Sequence, residues 1–302
     1  MRPARSTCGL RILATAVACC LGLGAAVAQD GVAHERVTFL SLDGRTTLVA
    51  SLMRPPGEER SRPALVLLHG CTGLQRDGRI LPIYSSWARL FVDLGYVVLL
   101  VDSAGPRGFG QTCTESAARR TALADRPKDA YAALKYLLTR PFVRPDRVGV
   151  VGWSQGGATI LRSIGTHSSG RPQGLAHDFR VGVAFYPGLC SDRLQSRPFV
   201  DVEPRSWTTA VPLLVLQGEA DNWTPAAPCS AFIAQAKARG APVEIKLYPG
   251  AYHVFDAPNL APRKLPAYRM RNGAVPLAGT DHAARADVIL RVPEFLRRYL
   301  QE

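Results

Sequence analysis

The sequence holds no internal repeat and no low-complexity linker, so a solenoid or a pair of tethered domains is not expected. Lysine is scarce, with five among 37 basic residues, and no basic run exceeds two. Aromatics are not interleaved with the basic residues, as single-strand binders require. The formal charge of +13 therefore has no patch behind it, and nucleic acid is not expected as a partner. With 47% hydrophobic and 20% charged residues, the composition excludes disorder, collagen and coiled coil. A length of 302 residues leaves one large α/β domain or two small ones.

The first 28 residues set the compartment. Arg2, Arg5 and Arg11 precede an uncharged apolar stretch from Ile12 to Ala28 that ends in Ala26-Val27-Ala28, a small-x-small pattern. This is the grammar of a secretory leader, and we expect cleavage after Ala28, with a periplasmic or secreted product and no stable membrane insertion afterwards. An uncleaved anchor is the main rival, because the 17 uncharged residues sit at the lower edge of spanning length. A lipoprotein modified at Cys19 is a weaker one, since Ala16 stands where a large aliphatic residue belongs. Removing the leader leaves 274 residues at +10, and it reduces seven cysteines to Cys71, Cys113, Cys190 and Cys229. None of the four shows zinc-site spacing. An even number in an exported chain suggests disulfides, with three possible connectivities.

Apolar segments of the mature region alternate in character. Ala64–Leu68, Tyr96–Val101, Arg147–Val151 and Leu213–Leu216 are short and nearly unbroken apolar runs, as in strands buried on both faces of a parallel sheet. Between them, Tyr131, Leu134, Leu137 and Leu138 share a helical face, as do Val288, Val292, Phe295, Leu296 and Tyr299. The opening segments, Val37–Leu40 and Thr46–Leu52, flank Asp43-Gly44, a hairpin signal. The expectation is one α/β domain over 29–302, its mostly parallel sheet of about eight strands carrying helices on both faces.

The sharpest local feature is Gly152-Trp153-Ser154-Gln155-Gly156-Gly157, which follows an apolar strand and precedes a helical stretch. A serine on such a strained turn presents its hydroxyl above the sheet at a helix N-terminus. It needs a base and an orienting carboxylate, which this fold supplies in the order Ser, acid, His. Two loops at strand ends provide them: Gly218-Glu219-Ala220-Asp221 and Gly250-Ala251-Tyr252-His253. Asp221 is the expected acid, with Glu219 its rival, and His253 the expected base. His282 alone among the other histidines follows, at the start of the last helix, where a surface role is expected. A developing oxyanion needs two backbone donors, expected from Gln155 and from Cys71 in His69-Gly70-Cys71. His69 itself reads as a structural loop residue.

At these residues the chain resembles the dienelactone hydrolase family. The resemblance rests on His69-Gly70-Cys71, on Val101-Asp102-Ser103 with Gly105-Pro106-Arg107-Gly108, and on Gly152 to Gly157. It extends to Gly218-Glu219-Ala220-Asp221 and to Tyr248 through Asp256. It implies an α/β-hydrolase fold, a Ser154–Asp221–His253 triad, oxyanion donors at Cys71 and Gln155, and neither metal nor organic cofactor. The family's namesake enzymes carry a cysteine nucleophile and a glutamate on the early loop. Here Ser154 and Gly70 stand at those positions, which points to a general carboxylesterase acting on a small-molecule ester rather than a lactone specialist.

Four further expectations concern the surroundings. Cys71 is expected to pair with Cys113 and Cys190 with Cys229, bracing the oxyanion and acid loops. Arg107 is a candidate contact for a substrate carboxylate, and Trp153 and Trp223 are candidates for substrate stacking. Residues 257–275 read as a lid or a long surface crossing. The alternatives to an exported serine esterase are a non-catalytic binding protein on the same scaffold, a peptidase, or a polyester hydrolase of related fold.

Overall fold

Unbroken apolar runs become strands here because the sheet is covered on both faces. The computed structural model describes residues 26–29, 32–57, 60–114, 116–270 and 272–302. Of the expected leader, residues 1–25 lie outside the described residues. The strands of the central sheet are β1 (Ala26–Gln29), β2 (Val32–Leu40), β3 (Thr47–Met53), β4 (Arg62–Leu68), β5 (Val97–Asp102), β6 (Val143–Trp153), β7 (Val181–Phe185), β8 (Leu213–Gly218) and β9 (Val243–Tyr248). They form one sheet in the order β1-β2-β3-β5-β4-β6-β7-β8-β9. The chain enters through antiparallel pairs up to β3–β5, and every later pair is parallel. Eight of these strands match the expected number. The ninth, β1, is an added edge that contains the expected cleavage point after Ala28. The Asp43-Gly44 hairpin closes as read, with Gly44 at φ 76° and the Asp43 carboxylate accepting the N–H groups of Arg45 and Thr46.

The helices are α1 (Pro82–Asp93), α2 (Ser116–Leu138), α3 (Gln155–Ile164), α4 (Ala226–Ala238) and α5 (His282–Leu300). One core packs α2, α3 and α4 on one face through Leu134, Ile160 and Phe232. The other packs α1 and α5 on the opposite face through Trp87, Phe91, Val288 and Phe295. Strands β5, β7 and β8 are buried along their whole length between the two cores, the two-sided burial that suppresses alternation in parallel sheets. This is the α/β-hydrolase arrangement. No helix among the described residues is long and apolar enough to cross a membrane.

The helix α2 runs further back than its apolar face indicates, because Pro127 lies inside it. Proline cannot donate to the carbonyl four residues earlier. That carbonyl, of Leu123, instead accepts from the Arg162 guanidinium at 3.2 Å. All catalytic candidates sit at the C-terminal ends of parallel strands, where open α/β sheets place their sites.

Candidate active site

Ser154 occupies the turn between β6 and α3 with φ 52° and ψ −109°, a left-handed backbone that a non-glycine residue adopts at a cost of about 1–3 kcal/mol. The flanking glycines are what make the turn possible. A Cβ at Gly156 would stand 2.0 Å from the Leu68 carbonyl oxygen, and one at Gly152 would stand 2.6 Å from the Gly156 backbone. The Ser154 N–H is held by the Phe185 carbonyl at 2.9 Å, which fixes the elbow to the neighbouring strand.

Asp221 follows β8 and His253 follows β9, and both side chains converge on Ser154. His253 Nε2 lies 3.0 Å from Ser154 Oγ, and its Nδ1 lies 2.6 Å from Asp221 Oδ2. A carboxylate only accepts, so Nδ1 carries the proton and Nε2 is left to accept from the serine hydroxyl. Both groups are buried, His253 at 1% and Asp221 at 3% exposure. Burial alone pushes the Asp221 carboxyl up, but the His253 charge and hydrogen bond, together with donation from Thr224, outweigh it and hold the carboxyl below its ordinary range. The remaining Asp221 lone pairs accept from the N–H groups of Trp223 and Thr224 and from the Thr224 hydroxyl at 2.7 Å. The rivals are elsewhere: Glu219 is exposed, and His282 is exposed at the start of α5.

The imidazole is clamped between two rings. Tyr186 packs at 4.5 Å and Trp223 at 4.9 Å between centroids. Tyr186 in turn donates its hydroxyl to Asp256, a fully buried carboxylate that also accepts from the indoles of Trp87 and Trp153. Burial raises the Asp256 carboxyl above its usual value, against the pull of these three donors. Neither Tyr186, Thr224 nor Asp256 stands out in the sequence as part of the site. The Ser-acid-His order draws attention to three residues and is silent about what clamps them.

The loop after β4 crosses the elbow closely, with a Cβ at Gly70 only 3.6 Å from Ser154 Cβ. Among the described residues, the N–H groups of Cys71 and Gln155 donate to no protein acceptor. His69 is a structural residue, as expected. Its Nε2 accepts from the Ser103 N–H at 3.2 Å and its Nδ1 donates to the Gly70 carbonyl at 2.6 Å. Burial and the nearby Arg126 guanidinium push its pKa down to about 4, so the ring is neutral. Arg126 donates to the His69 carbonyl at 2.6 Å and to the Gln155 side-chain oxygen at 3.0 Å. The Thr112 hydroxyl also donates to that oxygen, at 2.7 Å.

Ser154 opens on a cavity of about 750 Å³. Thr112, Leu189, Trp223 and Tyr268 contribute walls, and Arg269 is the charged residue on it among the described residues. Both expected disulfides are present, Cys71–Cys113 and Cys190–Cys229, and Cys71, Cys113 and Cys190 line the cavity. Of residues 257–275, Tyr268, Arg269 and Met270 line the cavity. Tyr268 stacks on Trp223 at 5.3 Å, and Asn222 anchors the segment through the Val275 carbonyl and the Leu277 N–H. Of the three candidate substrate contacts, only Trp223 reaches the cavity. Two expectations are corrected. Arg107 is bound to Asp129, Asp43 and the Ser103 carbonyl, with no donor fork left for a substrate. Trp153 is 1% exposed, turned into the sheet's other face against Phe185 and Asp256. No cluster of metal-ligating side chains occurs among the described residues.

Residues 48–300 match the family model described as the dienelactone hydrolase family. The chain belongs to this family. Among curated relatives, it is 24% identical to dipeptidyl-peptidase 5 of Porphyromonas gingivalis over 246 residues, 74% of this chain and 35% of that protein. It is 30% identical over 170 residues to the probable 2-oxo-3-(5-oxofuran-2-ylidene)propanoate lactonase of a Bradyrhizobium species, 53% of this chain and 62% of that protein. The chain thus spans from about a third to three fifths of these two relatives. Among solved structures, a dienelactone hydrolase-like promiscuous phosphotriesterase from metagenomic libraries superposes with a TM-score of 0.64 at 20% identity, covering 88% of this chain and 98% of that one. At that identity the match speaks for the fold.

Proposed function

We propose that this member of the dienelactone hydrolase family is an exported serine hydrolase that cleaves carboxylic esters of small molecules. The observation that carries the reading is the hydrogen-bonded line from Asp221 through His253 to Ser154, opening on the cavity. In this reading His253 Nε2 takes the Ser154 proton as Oγ attacks the ester carbonyl, and Asp221 stabilises the imidazolium that forms. The carbonyl oxygen becomes an oxyanion between the N–H groups of Cys71 and Gln155. Collapse expels the alcohol, which takes the proton from His253 and leaves an acyl-Ser154. Water then attacks the acyl carbonyl with His253 again as base, and collapse breaks the acyl–Oγ bond, returns the proton from His253 to Ser154 and releases the acid. Two disulfides suit an oxidising compartment, which supports export.

A fluorophosphonate probe should label Ser154 and give no label in Ser154→Ala, and the wild-type protein should turn over short-chain aryl esters. No labelling sinks the reading in favour of a binding protein, and labelling that persists in Ser154→Ala removes Ser154 as the nucleophile. The match to a dipeptidyl-peptidase supports peptide bonds as the second reading. Turnover of peptide anilides above that of esters and lactones would establish it.

A further inference from the structure

The proposed reaction leaves one buried charge without a task. Arg126 is 1% exposed, and among the described residues no carboxylate lies within salt-bridge distance of its guanidinium, although Asp129 and Asp102 act on it from further away. Its Nε has no partner there either. Burial lowers its pKa only to about 10, so it is cationic at neutral pH. Burying a cation without a carboxylate beside it is costly, typically several kcal/mol. The cost calls for a negative charge elsewhere, and the oxyanion of the tetrahedral intermediate is one that forms nearby.

The contacts of Arg126 land on both segments that carry the oxyanion donors. Nη2 donates to the His69 carbonyl, and the His69 ring pins the Gly70 carbonyl at 2.6 Å. That carbonyl shares a planar peptide with the Cys71 N–H, so fixing one aims the other. Nη1 donates to the side-chain oxygen of Gln155, whose own N–H is the second donor. Thr112 closes the circuit, its hydroxyl on Gln155 and its N–H on the Cys71 carbonyl at 2.7 Å. Arg126 does not line the cavity, so it acts through these groups and not on substrate. Its backbone is held firmly: Pro127 follows it, and Gly170 packs so closely on Pro127 that a Cβ there would stand 2.5 Å away.

We infer that Arg126 is a positioning residue of the oxyanion site, aligning the Cys71 and Gln155 N–H groups and placing a fixed positive charge behind them. The inference rests on the ester-hydrolase reading. An effect felt only where charge develops lowers kcat and leaves KM nearly alone.

The test compares wild type with Arg126→Met, Arg126→Lys and Gln155→Met on a short-chain aryl ester. An arylboronic acid, which forms an anionic tetrahedral adduct on serine, serves as the second probe. Arg126→Met is expected to lower kcat by roughly 10- to 100-fold, below the 10²–10³ of deleting a donor outright, with KM changed by less than about 3-fold. Boronate affinity should fall in step with kcat/KM. Arg126→Lys keeps the charge without the fork and should recover part of the loss, and Gln155→Met should show part of it. A folded Arg126→Met or Arg126→Lys with wild-type kcat and boronate affinity overturns the inference. So does a loss confined to thermal stability or to KM. Should Arg126→Met not fold, Arg126→Lys and Gln155→Met decide by the same criteria. Wild-type protein with no label at Ser154 and no ester turnover removes the hydrolase reading itself. Labelling and turnover in wild type with unaffected variants remove only the role of Arg126.

Discussion

The indole N–H of Trp153 donates to the carboxylate of Asp256 at 2.8 Å, across 103 residues of sequence. The neighbour of Ser154, the proposed nucleophile, is thereby tied to the loop that carries His253, the proposed base. The same carboxylate accepts from Trp87 and from Tyr186, the ring packed on His253. Asp256→Ala strands three buried donors, each worth about 1–3 kcal/mol when unsatisfied. We expect a loss of several kcal/mol in urea unfolding. Asp256→Asn can still accept from both indoles and turn its amide toward the tyrosine oxygen, so it should cost about 1 kcal/mol. Equal losses for the two variants would count against the three-donor account.

Relationships of this kind explain which parts of the molecule are legible in the sequence. Continuous apolar runs reveal the parallel strands because two-sided burial leaves no polar face to interrupt them. Ser154, Asp221 and His253 are legible because the fold dictates their order and their places at strand ends. Arg126, Tyr186, Thr224 and Asp256 are not, since each acts through contacts that folding brings together, such as the 57 residues between Arg126 and His69. The first half of α2 is hidden for another reason. Pro127 reads as a helix boundary, and only the folded chain shows Arg162 taking the carbonyl that proline leaves free. Arg107 misleads because its binding site for carboxylates is real but is filled by Asp43 and Asp129.

Arg107 therefore governs stability and not recognition. Its guanidinium meets the carboxylates of Asp129 and Asp43 at 2.8 Å, and all three side chains are at most 7% exposed. Burial disfavours the charged forms, but the contacts win, raising the Arg107 pKa and depressing that of Asp43. Removing one partner of a buried pair costs about 3–5 kcal/mol because the other charge is left alone. Arg107→Ala should lose that much in denaturant titration, while the folded fraction keeps its KM. A raised KM at unchanged stability would restore the substrate-contact role.

Tyr268 tests whether residues 257–275 act as a wall of the site. Its ring stacks on Trp223 within the cavity. An aromatic partner contributes about 0.5–1.5 kcal/mol. Tyr268→Ala should raise KM for aryl esters by roughly 2- to 12-fold, with alkyl esters less affected and kcat nearly constant. Identical effects on aryl and alkyl substrates would argue that the segment only excludes water.

The two disulfides should separate in their effects. They close loops of similar span, 42 and 39 residues, so each should contribute about 3–4 kcal/mol by restricting the unfolded chain. Cys71 carries one of the proposed oxyanion donors, whereas Cys229 is buried in α4, away from the reacting atoms. Cys71→Ala with Cys113→Ala should lower both stability and kcat. Cys190→Ala with Cys229→Ala should lower stability with a smaller change in kcat. Indistinguishable kcat values in the two double variants would contradict a role for the first bridge in holding the donor.

His69 gives the fold a pH dependence of defined sign. Burial and the Arg126 charge lower its pKa from 6.5 to about 4. Between those values the unfolded chain binds a proton at this ring that the folded protein does not, so stability falls as pH drops from about 6.5 toward 4. The span corresponds to roughly 3 kcal/mol for the single group. The depressed Asp221 carboxyl acts in the same sense, but only below its ordinary value of 3.8, outside this window. Thermal unfolding of wild type and His69→Asn between pH 7 and 4.5 isolates the contribution of this ring, since other titrations cancel in the difference. Asn can donate to the Gly70 carbonyl yet does not titrate, so its destabilisation relative to wild type should shrink steadily as pH falls. A difference that stays constant across the range would mean that the folded protein takes up a proton at His69 as readily as the unfolded chain, and the lowered pKa of the buried ring would have to be abandoned.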